Sequence, residues 1–207
     1  MKDKVQNILD HVSKLYHRYG IKSITMDDVA RNLGISKKTL YEHFRDKKDL
    51  VGQVLQSEYN QGCQVFDALE HRNLNAIEEL FEIYSLINSQ VQEYNPSMEY
   101  DIRKYYPELH SHIRSARRKM LFDNSIRNML KGKKEGLFRK NLNAELIAKL
   151  HLFRIENLYN SDLFTPEDLS SFDTFHELFV YHLQGIMSEK GRAFFDKNFS
   201  RFREKFE

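Results

Sequence analysis

The chain has 207 residues, of which 41% are hydrophobic and 30% charged, a balance typical of a globular protein with a proper core. No apolar run approaches the roughly 18 residues that a membrane helix needs, and the N-terminus, MKDKVQNILDHV, lacks the apolar stretch of a signal peptide. The single cysteine, Cys63, excludes a disulfide framework within the chain. We expect a cytoplasmic protein of one or two domains, with no membrane segment, in which Cys63 is a buried structural thiol or, alternatively, a redox sensor.

Charge is unevenly distributed, although the formal net charge is only +2. Residues 1–50 contain 11 Lys and Arg against 7 Asp and Glu, which leaves +4, while the remainder contains 21 basic and 23 acidic residues, which leaves −2. A basic N-terminal part on a nearly neutral body is the distribution that electrostatic binding of DNA requires.

A first helix is predicted from about Val5 to Tyr19, ending at Gly20. Its apolar face comprises Val5, Ile8, Leu9, Val12, Leu15, Tyr16 and Tyr19. We expect this helix to pack beneath the two short helices that follow it.

The segment Ser23–Leu50 predicts two short helices joined by a tight turn, followed by the start of a third. Thr25 and Asp28 have the spacing of a capping box, and Gly34 is suited to end the first helix in the left-handed conformation. Ser36 is a good cap for the second helix, which is predicted to reach Phe44.

A small residue, a glycine four positions later and an apolar residue six positions after that form the packing pattern of a helix-turn-helix. Ala30, Gly34 and Leu40 occupy these positions, and Leu40 and Phe44 are expected to point inward. The alternative is a buried helix pair with solvated lysines.

The outward face of the second helix carries residue types that bind DNA. In a helix-turn-helix this helix lies in the major groove with its N-terminal residues nearest the bases. Lys37 and Lys38 lie there and suit guanine acceptors or phosphates, while Tyr41 and His43 suit phosphate oxygens. Asp46 is predicted to cap the next helix, with Lys47 near a phosphate at its start.

From Thr25 to Leu50 the sequence resembles the TetR family of bacterial transcriptional regulators. The matching run, TMDDVARNLGISKKTLYEHFRDKKDL, contains the [IV]-A, G-[VI]-S, T-L-Y-x-[HY]-F and K-x-x-L elements of the family pattern and covers about a quarter of the chain. By this resemblance Lys37 and Lys38 would read bases. Glu42 departs from an ideal DNA-facing residue, and it either faces sideways or accepts from a cytosine amine. The expected DNA-binding residues are Thr25, Ser36, Lys37, Lys38, Thr39, Tyr41, His43 and Lys47.

Beyond this region the apolar spacing predicts a series of longer helices. They span about residues 46–71, 75–94, 107–131, 144–159 and 169–187, and Pro96 is expected to break the second of them. The run Gly132–Asn141, GKKEGLFRKN, is predicted to be a helix end and turn, since its spacing is not that of a P-loop and no strand precedes it. A G-x-x-E-G-L-F-R turn is also familiar in the TetR family.

The last two long helices are the expected dimer interface, because in the family the two penultimate long helices of each subunit form a four-helix interface. An apolar stripe of helix-seam spacing supports this assignment. The expected interface residues are Ile155, Tyr159, Phe172, His176, Phe179 and Leu183. The Phe-rich tail, residues 194–206, is expected to dock on its own body or on the partner subunit, with a membrane-surface helix as the alternative.

Aromatic residues are abundant in the central body, and as a group they predict, through the resemblance, a pocket for a small apolar or aromatic effector; core packing is the alternative for each. The candidate pocket residues are Phe81, Tyr84, Tyr100, Tyr105, Phe122 and Phe153. Arg114, Arg117 and Arg118 are expected to form a solvated basic face, although an acidic effector could use them.

Together these observations predict an all-α protein with a three-helix DNA-binding domain at residues 1–46 and a larger helical effector-binding and dimerisation domain at residues 47–207. The expected function is a homodimeric transcriptional regulator of a palindromic double-stranded DNA operator, a repressor released by a small molecule. The alternatives are a helical interaction module that does not bind DNA, or a carrier of lipophilic molecules. The sequence has no catalytic constellation, so we expect no enzyme, no cofactor and no metal site.

Overall fold

The computed structural model describes residues 2–92, 96–158, 163–165, 168 and 171–203. Within this part the chain is helical and contains no strand, only an isolated bridge between Phe138 and Met187. The predicted all-α class is therefore confirmed. The helices are α1 (Lys2–Tyr19), α2 (Met26–Leu33), α3 (Lys37–Tyr41), α4 (Lys47–Glu70), α5 (Ala76–Gln92), α6 (Pro96–Tyr105), α7 (Pro107–Glu135), α8 (Ala144–Leu158), α9 (Phe172–Ile186) and α10 (Glu189–Arg203).

One helix, α6, was not expected, because Pro96 was interpreted only as a helix breaker. A proline at the first helical position lacks only an N–H that has no partner within the helix, so it starts a helix as readily as it ends one. Pro107 starts α7 in the same way, as predicted.

The chain divides into two compact units. The N-terminal unit comprises Met1–Val65 and Glu93–Arg117, and the C-terminal unit comprises Phe66–Gln92 and Arg118–Glu207. The predicted domain boundary after residue 46 coincides with the start of α4 at Lys47. The N-terminal unit extends past that point, because α6 and the start of α7 share its hydrophobic core through Met98, Ile102 and Ile113.

The core of the N-terminal unit holds the three helices of the predicted DNA-binding domain together. Its largest fully buried side chains are Tyr16, Ile21, Leu40, Phe44, Leu50 and Leu55. Glu58 of α4 adds polar contacts: it accepts from the Ser13 hydroxyl at 2.7 Å and contacts His17 Nε2 at 3.1 Å and Arg117 Nη2 at 3.2 Å. Burial raises the pKa of the Glu58 carboxyl, but these hydrogen bonds and charges outweigh it and leave the pKa lowered.

The C-terminal unit has its own core, which is rich in phenylalanine. The Phe81 ring packs edge-on against Phe179 at 4.6 Å between centroids and stacks with Phe195 at 6.0 Å. Phe195 belongs to the Phe-rich tail, so at this position the tail docks on its own body, as expected. The side chains of Phe199, Phe202 and Phe206 lie outside the described residues.

A buried carboxylate links two helices of this unit. Glu79 of α5 has no exposed surface, and its two oxygens accept from Arg127 Nη2 at 2.9 Å and Lys131 Nζ at 2.8 Å, both on α7. A buried charge is tolerated when it is paired and hydrogen-bonded in this way.

The Gly132–Asn141 run is a helix end and turn, as predicted. Helix α7 ends at Glu135, and Gly136 follows with φ +74°. Gly132 must also be a glycine, because a Cβ atom there would lie 2.1 Å from the Phe138 ring.

Two further expectations concern Cys63 and the membrane. Cys63 is half-buried, whereas we expected it to be buried. Among the described residues, no helix combines the length and apolar character needed to span a bilayer.

Candidate nucleic-acid interface

Helix α2 starts with the predicted capping box. The Asp28 backbone N–H donates to Thr25 Oγ1 at 3.2 Å, and the Thr25 backbone N–H donates to Asp28 Oδ2 at 2.9 Å. The Thr25 hydroxyl also donates to Asp28 Oδ2 at 2.6 Å, and these bonds lower the pKa of the Asp28 carboxyl. The local sequence therefore fixes where α2 begins.

The turn after α2 is a Schellman motif centred on Gly34, which has φ +65° and ψ +26°. The Gly34 N–H donates to the Arg31 carbonyl at 3.2 Å, and the Ile35 N–H donates to the Ala30 carbonyl at 3.0 Å. This pattern satisfies two free carbonyls of α2 and reverses the chain within two residues. The predicted left-handed glycine is confirmed.

Helix α3 has only five residues, Lys37–Tyr41, so it is shorter than the predicted span to Phe44. Ser36 caps it as predicted, since its hydroxyl accepts from the Thr39 N–H at 3.0 Å. Leu40 and Phe44 have no exposed surface and point into the core, as predicted. The His43 and Phe44 N–H groups both donate to the Leu40 carbonyl, which tightens the last turn after Tyr41.

The expected base-reading end of α3 is accessible. Lys37 and Lys38 are exposed, as are Tyr41 and Glu42 on the following turn. The Lys37 ammonium lies 2.7 Å from Asp27 Oδ1, and this carboxylate raises the pKa of Lys37. An exposed ion pair of this kind is worth little in water, so DNA phosphates can displace it.

The side chains of the other expected phosphate contacts differ in their hydrogen bonds and in their burial. Thr25 and Thr39 both take part in helix caps, and the Thr39 hydroxyl lies 2.8 Å from Ser36 Oγ. His43 is half-buried, with its ring edge against Phe44 at 6.3 Å between centroids. Lys47 is half-buried, its Nζ is 3.4 Å from the Lys22 carbonyl oxygen, and burial lowers its pKa.

Two exposed arginines beside these residues were missed by the sequence interpretation. The side chain of Arg31, on α2, is 79% exposed, and that of Arg45, after α3, is 82% exposed. Both lie next to the turn or helix that the interpretation singled out, and only their charge distinguishes them in the sequence.

Helix α6 fixes the loop that leads into α2. Asp101 is buried, and its Oδ2 accepts from the Lys22 backbone N–H at 2.7 Å. The Lys22 ammonium lies 5.3 Å from the centroid of the Tyr105 ring, and a hydrogen bond with Lys22 lowers the pKa of Tyr105. Residues distant in sequence thus position the start of the helix-turn-helix.

Residues 8–54 match the model of the bacterial regulatory proteins of the tetR family. The match covers α1, α2, α3 and the start of α4, whose capped, glycine-turned geometry is described above. This part of the chain is therefore similar to the DNA-binding region of the tetR family.

Curated relatives match the same part of this chain. An HTH-type transcriptional regulator of Staphylococcus aureus (strain bovine RF122 / ET3-1) is 40% identical over 62 residues, which are 28% of this chain and 34% of the relative. The match thus spans about a third of the curated relatives' length.

Solved structures extend the likeness to nearly the whole chain. A transcriptional regulator from Cytophaga hutchinsonii has a TM-score of 0.71 at 19% identity and covers 89% of this chain and 99% of its own. The SmeT–triclosan complex has a TM-score of 0.68 at 14% identity, covering 88% and 90%. At this identity the likeness shows the fold, an N-terminal helix-turn-helix domain with a larger helical C-terminal domain.

The structure does not bring all the expected pocket residues into one unit. Tyr100 and Tyr105 are exposed and belong to the N-terminal unit. In the C-terminal unit Phe81 and Tyr84 are buried and Phe122 is half-buried. For Phe153 the interpretation as a pocket-lining residue is wrong, because its side chain is 66% exposed and faces solvent on α8.

The expected interface residues differ in how deeply they are buried within their own chain. Phe179 and Leu183 have no exposed surface within their own chain, so they cannot contact a partner, and the prediction is wrong for both. Ile155 and His176 are half-buried. Tyr159 and the side chain of Phe172 lie outside the described residues. A helix with an apolar stripe can bury that stripe in its own subunit, and the spacing alone does not distinguish the two cases.

The left-handed conformation of Gly34 predicts that alanine substitutions at two different glycines change the stability in opposite directions. Gly34→Ala places a Cβ at φ +65°, so we expect the free energy of unfolding to fall by about 1–2 kcal/mol. Gly185→Ala, near the end of α9, is the matched control, because a Cβ at either position has nothing within 4 Å. The control should raise the free energy of unfolding by about 0.5–1 kcal/mol. Thermal unfolding followed by circular dichroism measures both, and melting shifts of the same sign would contradict the assignment.

Proposed function

We propose that this protein is a homodimeric, sequence-specific DNA-binding transcriptional regulator, a repressor that a small-molecule effector releases from its operator. The observation that carries the proposal is the two-sided α3. Its inner side is anchored by the buried Leu40 and by Phe44, which is buried three residues after the helix ends. Its outer face presents Lys37, Lys38 and Tyr41 to solvent. A helix fixed on one side and cationic on the other is suited to the major groove.

Dimerisation follows from the small size of the reading helix. Five residues contact only a few base pairs, whereas a two-fold dimer reads two half-sites about 34 Å apart and gains affinity from both. A palindromic operator is the expected partner, because its symmetry matches that of the protein.

An exposed apolar stripe on α8 is the surface we propose for this dimer. Leu146, Leu150 and Phe153 are 51%, 55% and 66% exposed and follow one another at helical spacing along one face. Tyr181 on α9 is 76% exposed. Contiguous exposed apolar side chains mark protein interfaces, so these residues replace Phe179 and Leu183 in the proposed interface.

Effector release requires a ligand that binds the operator-free conformation more tightly than the operator-bound one. A structural neighbour, SmeT, was solved as a complex with triclosan. In this chain we propose that α4, a single helix from Lys47 to Glu70, transmits the change. Its movement would alter the distance between the two recognition helices, so that both no longer fit their half-sites.

Salt dependence tests the proposed DNA binding. We expect duplex affinity to fall linearly with salt on a logarithmic scale, and Lys47→Ala to reduce that slope by about one unit for each subunit bound, because one phosphate contact is lost. Fluorescence anisotropy of a labelled operator fragment at several salt concentrations gives the slopes. Lys140→Ala, an exposed lysine between α7 and α8, is the control and should leave the slope unchanged.

Duplex affinity without salt dependence would contradict DNA binding through this surface. It would favour the alternative of a helical interaction module that has lost its DNA contacts.

Charge placed in the α8 stripe tests the proposed interface. We expect the double substitution Leu150→Glu and Phe153→Glu to convert the dimer to a monomer, since two carboxylates would be desolvated at the interface. Light scattering coupled to size-exclusion chromatography measures the mass. Lys197→Glu, an exposed position of α10, is the control with the same introduced residue. A double variant that remains dimeric would move the interface elsewhere.

A further inference from the structure

Arg154 of α8 occupies an unusual polar cluster inside the C-terminal unit. Its Nη1 donates to the Leu178 carbonyl at 2.9 Å, and its Nη2 donates to the Tyr84 hydroxyl at 2.8 Å and to His151 Nδ1 at 3.2 Å. These bonds connect α8 with α5 and α9 and hold the half-buried guanidinium in one orientation. They use three of the five N–H donors of an arginine.

No described carboxylate neutralises the charge of Arg154. All three acceptors are uncharged, and in the described part of the chain no carboxylate forms an ion pair with this guanidinium. Other arginines of the chain differ: Arg117 pairs with Glu58, Arg118 with Glu156, and Arg127 with Glu79. A half-buried cation without a counter-ion is costly, so it indicates a place for an anion.

A second polar group beside Arg154 lacks a partner. His182 of α9 is half-buried, and its ring centroid lies 4.3 Å from that of His151. Its Nε2 atom is buried and has no hydrogen-bond partner among the described residues. Buried polar atoms are almost always paired, and an orphan atom points to a missing ligand or water. Burial first, and then the nearby His151 and Arg154, lower the pKa of His182 well below its ordinary value, so the ring is neutral at physiological pH.

The neighbouring His151 is neutral as well and cannot supply the missing charge balance. Burial, followed by the Arg154 charge, lowers its pKa to about 3. Because an arginine only donates, His151 Nδ1 is the acceptor of their bond, and the ring proton therefore lies on Nε2. Among the described residues the cluster thus contains one cation and two neutral imidazoles, without an anion.

We propose that Arg154 and His182 bind the carboxylate group of a small organic acid, and that this acid is the effector. The inference rests on the proposed function, which it deepens by naming the chemical class of the ligand. The guanidinium offers its full charge and one of its two remaining N–H donors, on Nε or Nη1, to a carboxylate oxygen. The neutral His182 can place a proton on Nε2 to donate to the other oxygen. The Tyr84 ring packs against Phe179 at 3.9 Å between centroids, so apolar side chains lie next to the Tyr84 hydroxyl that Arg154 contacts.

Matched acid–amide pairs test this inference on the full-length protein. Benzoate, cinnamate and octanoate are compared with benzamide, cinnamamide and octanamide at neutral pH by isothermal titration calorimetry and thermal unfolding. We expect at least one acid to bind and to raise the melting temperature, and its amide to bind at least about tenfold more weakly, because charge-assisted hydrogen bonds are lost. Binding of the acid should also raise the pKa of His182, measured by NMR, since a carboxylate favours the imidazolium form.

Substitutions of Arg154 test whether the acid binds at this site. Arg154→Gln should weaken binding of the acid by about 10- to 100-fold, and Arg154→Lys by less, because lysine keeps the charge but not the planar fork. Arg192→Gln, an exposed arginine of α10, is the control and should bind as the wild type does. If Arg154→Gln does not fold, His182→Gln and the acid–amide difference in the wild type still decide the question.

The inference is overturned if no acid of the panel binds, if acids and amides bind equally, or if Arg154→Gln binds the acid as tightly as the wild type. Operator binding is measured on the same preparations without added acid. Intact DNA binding with no acid binding would refute only the carboxylate site, whereas loss of DNA binding in the wild type would refute the proposed function.

Discussion

The burial of Leu40 and Phe44 is the interaction on which the proposed DNA reader depends. A helix of five residues is far too short to be stable alone in water. Each of these two side chains is removed completely from solvent and contributes roughly 2 kcal/mol, so packing rather than helix propensity fixes α3. The caps at Thr25 and Ser36 and the left-handed Gly34 then determine its direction. Because the burial of Leu40 and Phe44 fixes α3, the exposed lysines on α3 have a defined position.

The two units handle charge in different ways. In the N-terminal unit the cations Lys37 and Lys38 are exposed, where they cost little and attract a polyanion over a distance. In the C-terminal unit charges are brought inside, and Glu79 is neutralised by two cations on α7. Arg154 lies in the same unit without such compensation, which makes it the exception that the proposed carboxylate ligand explains.

Local rules made the DNA-binding region predictable from sequence. The capping box, the Gly34 turn, the Ser36 cap and the inward Leu40 each depend on residues within a few positions of one another, so the sequence contains all the information. The length of α3 was less predictable, because the tightening after Tyr41 depends on how Phe44 enters the core.

The C-terminal unit was less predictable because it depends on contacts between distant residues. Helical spacing identified the apolar positions of the last helices but not which of them face the chain's own core, so Phe179 was interpreted as interface and Phe153 as pocket. In the structure Phe179 is buried and Phe153 is exposed, which is the opposite of what these interpretations require. The pairing of Arg154 with His151 and Tyr84 joins residues up to 70 positions apart, and no local pattern indicates it.

The central claim is that two copies of α3 read one DNA site, and selection from a random duplex library with the full-length protein tests it most directly. We expect enrichment of an inverted repeat whose half-site centres are about one helical turn apart, or a multiple of it. Enrichment of no sequence, or of a single site without a repeat, would contradict the account.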